Sequence, residues 1–394
     1  MIFWKGKIVG MNKFEAQRQY YPVLAYRTFL NTAQSGLIPT YAAEAMCADI
    51  QDRVMNGMDI VTHNERWAKA NLLRPKIARM IHGSAEEIAF GPNSSTLFNI
   101  FANGIGLKPG DNVVTYDSAY FATTYTWINK RQDGVEARII HAEDGRMDAS
   151  KLMAAVDERT RAISVCHVDF GSGFRHDLAA LGAFCRERGI CLAVDATQSC
   201  GVMEIDVREM NIDFMTTSGY KWLQCILGIG FAYIRRELLD TLKQTDMGWV
   251  GTKDIMKNDP MVLDLSENAN RFEYGSHNFT AVEGLTRTID AYLRLGGKDI
   301  EAYVLSLADY AYERAASLPD VSILGDFESS HRSNIVTFLF PQNWTVTRDY
   351  LNTHGIAAMP LGPGRCRIGI HYYNNREDID RFFDCLEEAG RSGA

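Results

Sequence analysis

Apolar runs bounded by small and polar residues recur through the middle of the chain, at 87–90, 112–116, 137–141, 161–168, 192–195 and 212–217. Between them lie stretches of helical period, at 97–104, 149–156 and 177–189. Strands that read as continuous apolar runs are buried on both faces. Their alternation with helices predicts an α/β fold over 87–234, a mostly parallel central sheet covered by helices on both sides. A long helical region precedes it at 39–82, broken near Asn56-Gly57. The segment Tyr26 to Gly36 reads as a short strand entering a glycine turn. From about 280 the pattern changes to a helix over 281–295 and then an α+β region ending in a helix over 376–389. The predicted organisation is a large domain at 30–270 and a smaller α+β domain built from 1–29 and 271–394, residues 1–29 forming a polar-aromatic arm.

Composition narrows the classes. The chain has 394 residues, 46% hydrophobic and 23% charged, with a net charge of −8 and no basic run. Nucleic acid and anionic membrane surfaces are therefore poor partners. No run of 18 apolar residues exists to span a bilayer. The start, MIFWKGKIVGMNKF, lacks the apolar core of a secretion signal. The eight cysteines form no CxxC pair and no metal-like Cys/His spacing. They read as reduced, buried thiols of a cytoplasmic protein, and no metal is expected.

The chemistry concentrates at Ser218-Gly219-Tyr220-Lys221-Trp222, on a turn between two apolar runs. A lysine is rarely buried, because desolvating an ammonium is costly. Where burial lowers its pKa, the neutral amine can form a Schiff base with an aldehyde. A solvent-facing loop lysine is the alternative. Upstream, the strand Leu192-Ala193-Val194 ends in Asp195, at the edge where open parallel sheets bind ligands. Pyridoxal 5'-phosphate needs these two groups: a lysine for its aldehyde, and a carboxylate that keeps the pyridine nitrogen protonated so that the ring can accept electrons. A third feature is Gly91-Pro92-Asn93-Ser94-Ser95-Thr96, between a strand and a helix. Free backbone N–H groups, hydroxyls and the positive helix end make an anion site there, although Ser and Thr also serve as plain N-caps.

The pair VDATQS and TTSGYKW resembles the class V aminotransferase group of fold-type I pyridoxal-phosphate enzymes, which includes cysteine desulfurases, cystine C–S lyases and isopenicillin-N-epimerase-like enzymes. The resemblance runs over nearly the whole chain and implies the fold-type I transferase fold. It assigns Lys221 to the cofactor aldehyde and Asp195 to the pyridine nitrogen. It implies that Ser94, Ser95 and Ser218 bind phosphate and that Gln198 donates to the phenolic oxygen. Tyr120 falls where the family stacks a His or aromatic residue on the ring, with Phe121 as the rival. Arg271-Phe272-Glu273-Tyr274-Gly275-Ser276 matches the family's Arg-Phe-Glu-x-Gly-Ser/Thr segment, which implies a homodimer with Ser276 reaching the neighbouring subunit's phosphate. Arg367 aligns with the arginine that holds the carboxylate of an amino-acid substrate, and Arg365 is the alternative. Asp169 and Gln34 are further candidate substrate neighbours.

The sequence also departs from the family. Phe170 stands where an Asn is common, and Tyr220 precedes the lysine where a His is common. Cysteine desulfurases carry a nucleophilic Cys on a mobile loop before the arginine strand. Here the connection from Ala358 to Arg365 is short and has none, and Cys366 lies in the strand itself. The resulting expectation is action at Cα of an amino acid, with C–S or related β-elimination favoured over epimerisation, transamination and desulfuration. A non-catalytic protein on this fold is the rival from another class. It is disfavoured by the joint presence of Asp195, Gln198, Ser218, Lys221 and Ser276. A nicotinamide enzyme is disfavoured by the lack of a GxGxxG at a strand–helix junction.

Overall fold

The computed structural model describes residues 13–255, 259 and 261–393, so the first twelve residues of the expected arm lie outside the described residues. Residues 13–25 form short turns that pack on the C-terminal part: Phe14 stacks on Tyr303 at 4.4 Å between ring centroids, and Arg18 pairs with Asp378 at 2.8 Å. The strand expected over 26–36 is only β1 (Thr28–Phe29). The long helical region divides as expected, into α1 (Thr40–Asn56) and α2 (Ile60–Met80). Gly57 makes the break at φ 70°, a left-handed conformation that glycine tolerates best. Asp59 restarts the chain with a capping box to Thr62.

The central sheet contains β2 (Ile88–Gly91), β3 (Asn112–Tyr116), β4 (Glu136–Ile140), β5 (Thr160–Cys166), β6 (Cys191–Asp195), β7 (Phe214–Ser218) and β8 (Gly230–Ile234). Its order is β2-β8-β7-β6-β5-β3-β4. Every pairing is parallel except the two made by β8. Every residue of β3, β7 and β8 is buried, which is why these strands read as unbroken apolar runs rather than alternating ones. Between the strands run α3 (Ser94–Gly104), α4 (Phe121–Asn129), α5 (Ala149–Ala154) and α6 (Leu178–Arg188). Asp177 caps α6, and Gly189 ends it in the left-handed region. α3 starts three residues earlier than its apolar period suggests. Its cap is Asn93, which accepts from Thr96 N–H, so Ser94 and Ser95 lie in the first turn rather than at the cap.

Beyond the short helix α7 (Arg236–Leu239), α8 (Phe279–Leu295) packs against α1 and α2, and α9 (Gly297–Ala316) follows. A second, antiparallel sheet joins β9 (Ser322–Ile323), β10 (Ile335–Leu339), β12 (Met359–Pro360) and β13 (Arg365–Gly369) in the order β12-β13-β10-β9. α10 (Arg348–Thr353) leads into β11 (Ile356–Ala357), which pairs with β1. α11 (Arg376–Gly393) covers α9. Of the cysteines, Cys47 is exposed and Cys191 half-buried, which corrects the expectation that all lie inside.

A buried ion pair ties the two ends of this frame together. Arg74 on α2 donates to both carboxylate oxygens of Glu273 at 2.6 and 2.8 Å. Phe90 N–H and His277 Nε2 also meet that carboxylate. Burial alone would push the Glu273 carboxyl up, but Arg74 and His277 overcome this and hold it down at about 2. A depressed carboxyl stabilises the fold above its ordinary value and loses that contribution as pH falls toward 2. Glu273→Ala would strand the Arg74 charge and is expected to cost about 3–5 kcal/mol, read as a lowered denaturation midpoint.

Candidate active site

The strand ends bring the predicted residues to one edge. Cys166, Asp195 and Ser218 close β5, β6 and β7, and Cys166 is register-paired with Asp195. Just past Ser218 the chain turns, and Lys221 is 6% exposed, so it is not a solvent-facing loop lysine. The turn is made tight by Gly36. A Cβ there would lie 2.0 Å from the Lys221 carbonyl oxygen, so no other residue fits without moving the lysine. Gly36 N–H donates to the Tyr220 carbonyl at 2.9 Å. The ammonium lies 5.3 Å from the Tyr120 ring centroid and 5.7 Å from that of Tyr220. Burial pushes the Lys221 pKa down to about 8. The Arg367 charge pushes the same way, against the opposing pull of Asp195.

Asp195 is buried, accepts from Thr197 N–H at 2.9 Å, and is raised by that burial. Gln198 lies one turn on. Its Oε1 accepts from the Trp222 indole N–H at 2.9 Å, and its Nε2 donates to the Ala33 carbonyl at 3.0 Å. An indole is a donor only, so the amide orientation is unambiguous, and one Nε2 proton remains for a further acceptor. Trp222 is itself fixed, stacked on His371 at 5.6 Å with its carbonyl meeting His371 Nε2 at 3.1 Å. Sequence reasoning missed Trp222 and His371. The adjacency of Trp222 to Lys221 was the available signal. Trp222→Phe removes the donor that orients Gln198 and is expected to shift the pH midpoint of the bound cofactor's absorption. The shift should vanish in a Gln198→Ala background, where there is no amide left to orient.

The phosphate candidates Ser94 and Ser218 meet directly: Ser218 Oγ accepts from Ser94 N–H at 3.0 Å. Ser95 follows on the first turn of α3, where the free N–H groups and the positive end of the helix dipole lie. Ser276 is exposed on the 273–278 loop held by Glu273. It shares a surface cavity with Gly91, Pro92 and Thr96 at the foot of α3.

On the opposite side, Tyr120 precedes α4 and its N–H approaches Cys166 Sγ at 3.5 Å. Of the two stacking candidates, Tyr120 is the one placed beside Lys221, while Phe121 is 53% exposed. Arg367 is buried within β13, and its Nη1 donates to the Phe170 carbonyl at 2.5 Å. Burial lowers the Arg367 pKa to about 10. Arg365, the alternative, is exposed. Asp169 is close by and already accepts three hydrogen bonds. It accepts from Ser118 Oγ at 2.8 Å and from the N–H groups of Gly171 and Ser172 at 2.8 and 3.0 Å. Two of these bonds brace the loop that carries Phe170. Gln34 is exposed and accepts from Asn31 Nδ2 at 2.9 Å. The contact from that turn is made by its neighbour, the Ala33 carbonyl.

A family model described as Aminotransferase class-V matches residues 42–382. The chain belongs to the class V aminotransferase family. A cysteine desulfurase of Pectobacterium atrosepticum is 30% identical over 338 residues, covering 81% of this chain and 82% of the relative. A probable cysteine desulfurase of Methanothermobacter thermautotrophicus is 27% identical over 403 residues, covering 96% and 98%. Among solved structures, the apo cysteine desulfurase from Thermococcus onnurineus NA1 superposes with a TM-score of 0.86 at 25% identity, covering 97% of this chain and 99% of that one. The cystine C–S lyase C-DES, in complex with its product cysteine persulfide, shares the fold at a TM-score of 0.86 and 21% identity, covering 93% and 98%.

This class V protein is a pyridoxal-phosphate enzyme, and its residues fit that cofactor. A buried amine, a buried carboxylate, an aromatic face and a helix N-terminus with two serines converge on one sheet edge. Two buried polar atoms beside them, Thr197 Oγ1 and Arg367 Nε, have no hydrogen-bond partner within the described residues. Among those residues no helix is long and apolar enough to cross a membrane.

Proposed function

We propose that the protein removes the Cα proton of an amino acid and expels a sulfur substituent from Cβ, as a C–S lyase. The observation that carries this reading is the buried Lys221 amine, near Asp195 and Tyr120 and within the field of Arg367. Pyridoxal phosphate, when bound, supplies an electron sink conjugated to Cα. Asp195 holds the proton on the pyridine nitrogen, and Ser94, Ser95 and Ser218 hold the phosphate. Gln198 donates its remaining N–H to the phenolic oxygen, and Tyr120 covers the ring face. Arg367 grips the substrate carboxylate through its planar fork. That grip fixes which Cα bond is broken. Lys221, as a neutral amine, would take the Cα proton. The Cβ–S bond then breaks with its electron pair leaving on sulfur, and water completes conversion to pyruvate, ammonia and a thiol. A homodimer, with Ser276 of each copy reaching the other's phosphate, accords with the exposed position of that side chain.

The names of the relatives favour a second reading, cysteine desulfuration. It needs a nucleophilic thiol beside the substrate sulfur. The link from β12 to β13 is Leu361-Gly362-Pro363-Gly364, which has no thiol, and Cys366 is fully buried with its thiol pKa pushed up by that burial. The test is incubation of the cofactor-loaded protein with L-cysteine, L-cystine, S-substituted L-cysteines and L-alanine in deuterated water, with products read by mass spectrometry. Pyruvate with a released thiol is expected. L-Alanine, with its sulfur released as sulfide by an added thiol reductant, would establish desulfuration instead, and α-deuterium uptake without product would establish epimerase-like chemistry.

A further inference from the structure

We propose that the substrate carries a bulky apolar or aromatic group, which on the lyase reading above is an aryl or alkyl substituent on sulfur. Three contacts run in series through four residues, from Lys221 to Arg367. Lys221 Nζ lies 5.3 Å from the Tyr120 ring centroid. Tyr120 meets Phe170 edge to face at 5.4 Å, and the Phe170 carbonyl accepts from Arg367 at 2.5 Å. An amino acid held by its carboxylate at Arg367 and reached at Cα by Lys221 would have the Tyr120 and Phe170 rings as its aromatic neighbours.

The wall continues outward from there. Phe121 lies 5.8 Å from Phe170 and 5.5 Å from Tyr125, one helical turn further along α4. Tyr120, Phe121 and Tyr125 are 36%, 53% and 62% exposed, so an aromatic path runs from the clamp to solvent. Such faces favour offset or edge-on contact with another ring. The charges of the site point the same way. The one lasting cation of the site, Arg367, is taken up by the substrate carboxylate, and no second cation remains there to pair an anionic side chain. A ring or alkyl chain gains by leaving water here, whereas a small polar side chain such as that of cysteine leaves the wall uncovered.

The test uses the cofactor-loaded protein and non-eliminable amino acids, with binding read from the change in the cofactor absorption band. L-Phenylalanine should bind about 10- to 100-fold more tightly than L-alanine, and L-aspartate more weakly than either. Phe170→Asn should collapse the phenylalanine preference to within about threefold, whereas Phe170→Leu, which keeps the apolar wall, should retain most of it. The proposal is overturned if the wild-type protein binds L-alanine or L-aspartate as tightly as L-phenylalanine. A preference that survives Phe170→Asn in a folded, cofactor-bound variant overturns it equally. If Phe170→Asn does not fold, the wild-type ratio and Phe170→Leu decide. The lyase reading fails separately: tight L-phenylalanine binding with no thiol from S-methyl-, S-phenyl- or S-benzyl-L-cysteine removes the elimination and leaves the wall. Thiol release without any preference for the larger substituents removes the wall and leaves the elimination.

Discussion

Lys221→Ala is expected to abolish both the covalent hold on the cofactor and turnover, with a loss of about 10²–10⁴-fold in rate from the missing proton transfer alone. The alanine variant should still take up cofactor non-covalently, because Ser94, Ser218, Asp195 and Gln198 lie on other parts of the sheet edge. Gel filtration followed by absorbance after borohydride reduction separates the two: the wild-type protein retains label and the variant does not. Turnover retained by Lys221→Ala would refute the assignment. The pH dependence has a definite sign. The neutral amine is the nucleophile toward the cofactor aldehyde, and burial sets its pKa at about 8. The rate at which apoprotein captures pyridoxal phosphate should therefore rise with pH and level off above about 8, rather than near the 10.5 of an exposed lysine.

Arg367→Ala is expected to cost about 2–5 kcal/mol of substrate binding, the range for removing one partner of a buried charged pair. That corresponds to a KM increase of about 30- to 4,000-fold. Arg367→Lys restores the charge but not the fork and should recover only part of the loss. Arg365→Ala is the control. Its side chain is exposed, so its KM should stay near the wild-type value. If the two results are reversed, the clamp is Arg365. A second readout follows from the field of Arg367, which helps to depress Lys221. In Arg367→Ala the midpoint of cofactor capture should move above 8, and Arg367→Lys, which keeps the charge, should hold it nearer 8.

Much of the fold was legible because its causes are local. The sheet strands are buried on both faces, so each prints a continuous apolar run, and β3, β6 and β7 lie where those runs lie. Asp195 and Lys221 could be read because each closes or follows such a run. Turn chemistry predicted the break at Gly57 and the cap at Asp177. The failures are equally local. The apolar period of α3 begins at Leu97, but its first turn is polar and capped by Asn93, so period alone started the helix late. By contrast, the contact of Asp169 with Ser118 was not legible, because the two lie 51 positions apart.

From the sequence alone come the fold class, the family, the cofactor and the order of the chemical groups along the chain. The fold class follows from the apolar runs, and the family and cofactor from the resemblance carried by VDATQS and TTSGYKW together with the Asp195 and Lys221 residue types. Tertiary structure decided which groups meet. Gln198 is aimed by Trp222, the 273–278 loop is held by Arg74, and Arg367 is tied to the carbonyl of the residue that replaces the family's Asn. These pairs are separated by 24, 199 and 197 positions. A hydrogen bond depends on ångström-scale distance and direction, which sequence separation does not encode. Only after the sheet edge gathers its loops do a buried amine, a buried arginine and a cluster of aromatic rings come together.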